Sequence, residues 1–191
     1  NTNNVDKALE YNEKALIVRK SLRDSAAIKT TTINIAKLYS KRKEHRKAIE
    51  YYLEALDILN SKTDVLQLGE VLPRLGNEYL IFKEYERATQ YLLEGLRHNR
   101  RSKNMEGLAV SLNGLGNLNL ELGKYRTAER QLMEAYSIAN ENKLQLELLE
   151  NYQVRTQLDS SRGYFQNAFK WQSSYYKLRD SMSKSKTKER V

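Results

Sequence analysis

Two asparagines stand 40 residues apart behind the same dipeptide, in Leu75-Gly76-Asn77 and Leu115-Gly116-Asn117. A side-chain amide carries donor and acceptor together, so it can pair with a peptide group whatever side chain that group bears. Gln157 occupies the matching place one interval later and Lys37 one interval earlier. Asn34, Lys41, Arg74, Asn113 and Gln153 lie one helical turn from these positions if each segment is helical. Amides spaced in this way suit the capture of an extended polypeptide. Lys37, Lys41 and Arg74 add positive charge at one end, suited to an acidic ligand segment.

Other chemistry is poorly supported by residue type and spacing. There is no Cys, which removes thiolate catalysis, disulfides and thiolate-held metal. His45 falls at the place that Tyr85, Tyr125 and Phe165 hold later in the chain, an aromatic packing slot, and His98 ends a segment beside Arg100 and Arg101. Two histidines so placed make neither a metal site nor a nucleophile–base pair. The carboxylates are scattered rather than paired for acid–base work. No glycine-rich phosphate loop occurs. The expectation is a protein that is not an enzyme and carries no metal or cofactor.

The net charge of +9 gathers in three runs, Lys41–Lys47, Arg97–Lys103 and Lys184–Arg190. Nucleic-acid contact through these basic loops is one alternative. The runs lack the interleaved aromatics of single-strand binders, so solvated loops explain them better. No apolar run approaches the roughly 20 residues that cross a bilayer.

The elements that position the amides follow from a repeat. Ala8, Ala48, Ala88, Ala128 and Ala168 recur at 40-residue spacing, and Ala15, Ala55, Gly95 and Ala135 stand seven residues after the first four. Small residues two turns apart on one helical face admit a close neighbour. With only 8 Gly and 1 Pro in 191 residues, long helices joined by short turns are expected rather than a sandwich or barrel. The division is a half repeat over 1–24, repeats over 25–62, 63–102, 103–142 and 143–183, and a basic tail over 184–191. That gives about nine helices in one all-α domain. Pro73 lies inside the helix expected from Val65, where a bend or break between Gly69 and Pro73 is predicted.

Leu72, Leu75-Gly76, Tyr79, Ala88 and Leu92 resemble the tetratricopeptide signature. So do Thr32, Ile35-Ala36, Tyr39, Ala48 and Tyr52, and again Leu112, Leu115-Gly116, Ala128 and Leu132. The fifth unit departs, with Arg155 and Thr156 in place of Leu-Gly, and Asn119 replaces the fourth unit's Tyr. The long repeat is similar to the Leu-Gly-Asn and kinesin-light-chain subset. The resemblance implies a right-handed α-solenoid of antiparallel helix pairs whose first helices line a concave groove. It also implies that Asn77 and Asn117, with Gln157 and Lys37 in register, hold a peptide backbone there. Asn34, Lys41, Arg74, Asn113 and Gln153 would flank them. Helices about 8–10 Å apart against a strand rising about 3.3 Å per residue would place one amide at every third peptide residue.

The expected function is non-catalytic protein or peptide binding in the sensing or docking domain of a signalling protein. Structural self-association is another alternative, through Phe169, Trp171, Tyr175 and Tyr176 at the C-terminal edge. The ending Tyr175–Met182 resembles tetratricopeptide arrays of Bacteroidetes-type membrane-anchored regulators. That resemblance implies a periplasmic setting; without it a cytoplasmic one is expected.

Overall fold

The computed structural model describes residues 2–188, and its chain groups into two compact units, Asn1–His98 and Asn99–Val191. Helices α1 (Thr2–Ser21), α2 (Ser25–Lys41), α3 (His45–Ile58) and α4 (Val65–Ile81) belong to the first. Helix α5 (Tyr85–Ser102) contains the division. The second holds α6 (Met105–Glu121), α7 (Tyr125–Glu141), α8 (Gln145–Ser161) and α9 (Phe165–Lys188). No strand occurs among the described residues, and no helix there is long and apolar enough to cross a membrane. Helix α9 takes in part of the predicted basic tail; residues 189–191 of that tail lie outside the described residues.

The turns share one device. Arg23, Lys43, Lys83, Lys103, Gly123, Lys143 and Gly163 all have φ between 55° and 77°, at 20-residue steps that skip position 63. The residue after each closes the helix end: the amides of Glu44, Glu84, Lys124 and Tyr164 donate to the carbonyls of Tyr39, Tyr79, Asn119 and Asp159 at 2.7–3.0 Å. This is the Schellman arrangement, which a left-handed residue makes possible. The skipped turn is held by side chains instead. Asp64 accepts from the Asn60 amide and from Lys29 Nζ, both at 2.7 Å. Those bonds, the backbone donor first, hold the Asp64 carboxyl below its ordinary range.

In the first unit, Ala48, Ala55 and Ala88 are fully buried. A Cβ on Gly76 would stand 2.7 Å from Leu92 Cγ, so only a glycine lets α4 and α5 approach this closely. Helix α4 runs unbroken through Pro73, contrary to the predicted break. The reason lies across the pair, where the buried Pro73 ring fills the space that a side chain at 95 would need. A Cβ on Gly95 would meet Pro73 Cδ at 2.8 Å and its nitrogen at 3.0 Å. The ring's packing on the bare Gly95 backbone offsets the hydrogen bond that proline cannot make. Gly95 therefore breaks the alanine pattern of Ala55 and Ala135 because of Pro73.

The second unit repeats the design with changes. Ala128, Ala135 and Leu132 are fully buried, and a Cβ on Gly116 would fall 2.6 Å from Leu132. Leu120, Ala128 and Leu132 join Val154 and Leu158 in one cluster, which seats α8 on the α6–α7 pair.

Gly95→Ala is expected to cost about 1–3 kcal/mol in urea denaturation, the usual penalty of overpacking, and Pro73→Ala in the same chain should restore most of it. Asp64 supplies a pH test. Its depressed folded pKa contributes stability above the unfolded value near about 4, which disappears as pH falls further. Thermal melts across that window should therefore show a smaller acid-induced drop for Asp64→Asn than for the parent.

Candidate functional site

In the first unit two ion pairs link α2 to α4 and the residue before it, Lys29 Nζ–Asp64 Oδ2 at 2.7 Å and Lys37 Nζ–Glu70 Oε1 at 2.6 Å. Asn34, Lys37, Arg74 and Asn77 are half-buried on this surface, and Lys41 is exposed at the end of α2. Glu70 sits between two of the predicted cations, with Arg74 Nε 3.8 Å away. The positive end expected here is thus partly neutralised by its own carboxylate. Among the described residues, the side-chain amides of Asn34 and Asn77 make no hydrogen bond.

The second unit divides its predicted residues sharply. Asn117 on α6 is half-buried, Gln153 and Gln157 on α8 are exposed, and none of these amides is hydrogen-bonded among the described residues. Asn113 does not belong with them. It is fully buried, donates through Nδ2 to the Glu147 carbonyl at 2.9 Å, and accepts from Asn151 Nδ2 at 2.8 Å. Asn151 also donates to the Leu132 carbonyl at 2.8 Å. Asn113 is therefore corrected from a ligand-facing residue to one that seats α8. A neighbour four residues from Asn117 shares its general side of the helix, but here that position is covered by the next helix.

The C-terminal edge also separates. Phe169 and Tyr176 are 68% and 50% exposed, as a docking edge requires. Trp171 instead turns inward: it stacks on Tyr152 at 6.1 Å, and its Nε1 donates to Asp159 Oδ2 at 2.8 Å. The Arg155 guanidinium lies 3.8 Å from the Trp171 ring centroid, and burial pulls its pKa down against the pull of Asp159 and Glu129. Trp171 is removed from the predicted edge, and Tyr175 is half-buried. Gln153, Thr156, Gln157, Gln172, Tyr175 and Tyr176 line a cleft of about 200 Å³ between α8 and α9.

Residues 2–61 match the family model described as tetratricopeptide repeat. BtubC (BKLC) from P. vanneervenii is similar over 94% of this chain and 75% of its own, at 21% identity and a TM-score of 0.67. The apo form of RapI is similar at 18% identity and a TM-score of 0.67, and this chain, 94% covered, spans 50% of its length. The nearly identical TPR-like repeats assigned to a kinesin light chain in Podosopora anserina match at 15% identity and TM-scores of 0.58–0.60, over 93–94% of this chain and 88–89% of theirs. Residues 2–61 thus carry the tetratricopeptide pattern, and the rest of the chain shares the fold of these structures. No curated protein matches the sequence.

The 40-residue register explains two features that residue chemistry alone did not single out. Tyr39 stacks on Tyr51 at 5.4 Å, and Tyr79 on Tyr91 at 5.6 Å. One repeat on, the same two positions hold Asn119 and Gln131, hydrogen-bonded at 2.9 Å; the next repeat holds Asp159 and Trp171. The second feature is His45, which meets Phe82 edge-on and lies 2.7 Å from the buried Glu78 carboxylate. His45 is a structural member of the aromatic slot. In the exposed basic turn around it, Arg42 pairs with Asp6 and Glu44, and Lys47 with Glu44.

Asn113→Ala should lower stability by about 1–3 kcal/mol, because it strands a buried amide partner. Asn117→Ala, on the same helix, should change stability by less than about 0.5 kcal/mol. Chemical denaturation of the two variants side by side checks this assignment.

Proposed function

We propose that this chain is a non-catalytic scaffold that binds protein or peptide segments along the first helices of its repeats, as the docking or sensing domain of a signalling protein. One observation carries the reading. The amides in the tetratricopeptide peptide-facing register, Asn77, Asn117 and Gln157, are partly or fully exposed and make no hydrogen bond among the described residues. Of the amides off that register, Asn113, Asn119 and Asn151 are consumed by the fold, while Asn34 and Gln153, one turn from it, are left open beside it. Polar groups left unused at one repeated position point to an external partner. In the first unit such a partner is an extended segment whose backbone pairs with Asn77, with acidic side chains near Lys37, Lys41 and Arg74; in the second, the backbone of an extended segment pairs with Asn117 and Gln157.

Selection from a displayed library of extended peptides tests this. Enriched peptides should carry acidic residues and bind the parent chain. The double variant Asn77→Ala, Asn117→Ala should weaken their binding by about 1–3 kcal/mol with unchanged helical circular dichroism. Peptides that bind the double variant equally well would overturn the reading.

A further inference from the structure

The peptide-facing register has one member unlike the rest. Asn77, Asn117 and Gln157 make no hydrogen bond among the described residues, whereas Lys37 donates to Glu70, Nζ to Oε1 at 2.6 Å. Glu70 stands on α4 one turn before Arg74 and two turns before Asn77, so the three share one face of that helix. Its Oε1 also lies 3.8 Å from Arg74 Nε. The carboxylate is thus in the row that would face a bound segment, against two of the three cations assigned to an acidic ligand. Forty and eighty residues on, the same two places hold Asn77 with Val110 and Asn117 with Glu150. Of these three pairs, Lys37 with Glu70 alone sets a cation against a carboxylate. Folding gains little from it, because the two side chains are 40% and 31% exposed and so well screened by water.

We propose that Glu70 is a built-in competitor for the acidic side chain of the bound segment, an inference that rests on the peptide reading above. The Glu70 carboxylate holds the place at Lys37 that a ligand Asp or Glu would take. An ammonium has three donors, and Glu70 uses one, so a neutral acceptor such as a peptide carbonyl can still reach Lys37. A second carboxylate arrives on worse terms, since it is set against Glu70 at close range and like charges so placed oppose each other. To win Lys37, the ligand's acid must turn Glu70 out, exchanging one ion pair for another. Lys41, exposed at the end of α2, is outside this contact and still draws acidic residues. Two consequences follow for the parent chain. Lys37 adds little preference for acidic over neutral ligands, and what it adds responds weakly to salt, because one screened pair replaces another.

The whole chain and its Glu70→Gln variant are titrated with two labelled peptides of about ten residues, long enough to cross α2 and α4 in extended form. One alternates Thr with Glu and the other Thr with Gln, and anisotropy reads binding. Glu70→Gln should raise affinity for the Glu peptide about fivefold and leave that for the Gln peptide within about twofold. Binding of the Glu peptide should also fall more steeply with salt in the variant than in the parent. Lys37→Gln should weaken the Glu peptide about fivefold in the Glu70→Gln chain and little in the parent, a coupling that a merely structural Glu70 would not produce. Both positions are partly exposed, so circular dichroism should show every variant folded, and Glu70→Ala should repeat the gain. Unchanged affinity of the Glu peptide in both Glu70 variants overturns the proposal. Lower affinity overturns it too, by showing that Glu70 positions Lys37 rather than competes for it. If either occurs while Asn77→Ala with Asn117→Ala weakens both peptides, the peptide reading stands and the competitor alone falls. Failure of both peptides to bind any of these chains overturns the peptide reading and this inference with it.

Discussion

Everything in this chain depends on two helices of a repeat approaching closely enough for backbone to meet side chain. Ala48, Ala88, Ala128 and Ala168 are buried at 0–5% exposure, and no larger side chain would leave that approach intact. Gly76 and Gly116 press on Leu92 and Leu132 from the facing helix. With that contact set, the helix length and the left-handed turn residues at 20-residue steps follow as one geometry. Much of the burial energy of a small helical unit comes from such interdigitation rather than from helix propensity.

Once the approach is set, the chemistry beside it is free to vary. The position pair beginning at Tyr39 and Tyr51 is filled by stacked rings twice, by an amide pair at Asn119 and Gln131, and by Asp159 with Trp171. In the last two solutions one hydrogen bond joins the helices, Asn119 Nδ2 donating to Gln131 Oε1 and Trp171 Nε1 to Asp159 Oδ2. The last one brings Arg155 against Trp171, where the other repeats have a leucine or isoleucine. The geometry recurs, and the residues are interchangeable wherever they satisfy one another.

Spacing made the helices, their pairing and the small-residue contacts legible, because close approach permits few residue types and so leaves a strong periodic trace. Asn113 and Trp171 were misassigned because burial at those places is decided by a neighbouring helix rather than by the local pattern. Asn113 is polar but sealed by α8, and Trp171 is large but drawn inward by Asp159. The unbroken helix at Pro73 was hidden in the same way, since its explanation stands 22 positions away at Gly95.

Pro73 and Gly95 also constrain how this sequence can change over time. An alanine at 95, which the neighbouring repeats carry, has no room while the ring is present, so the substitution that would regularise the array is closed to a single step. Loss of the proline opens it. Divergence at these two sites is therefore ordered: descendants of this chain reach the common alanine by first replacing residue 73, and intermediates with the reverse order are disfavoured.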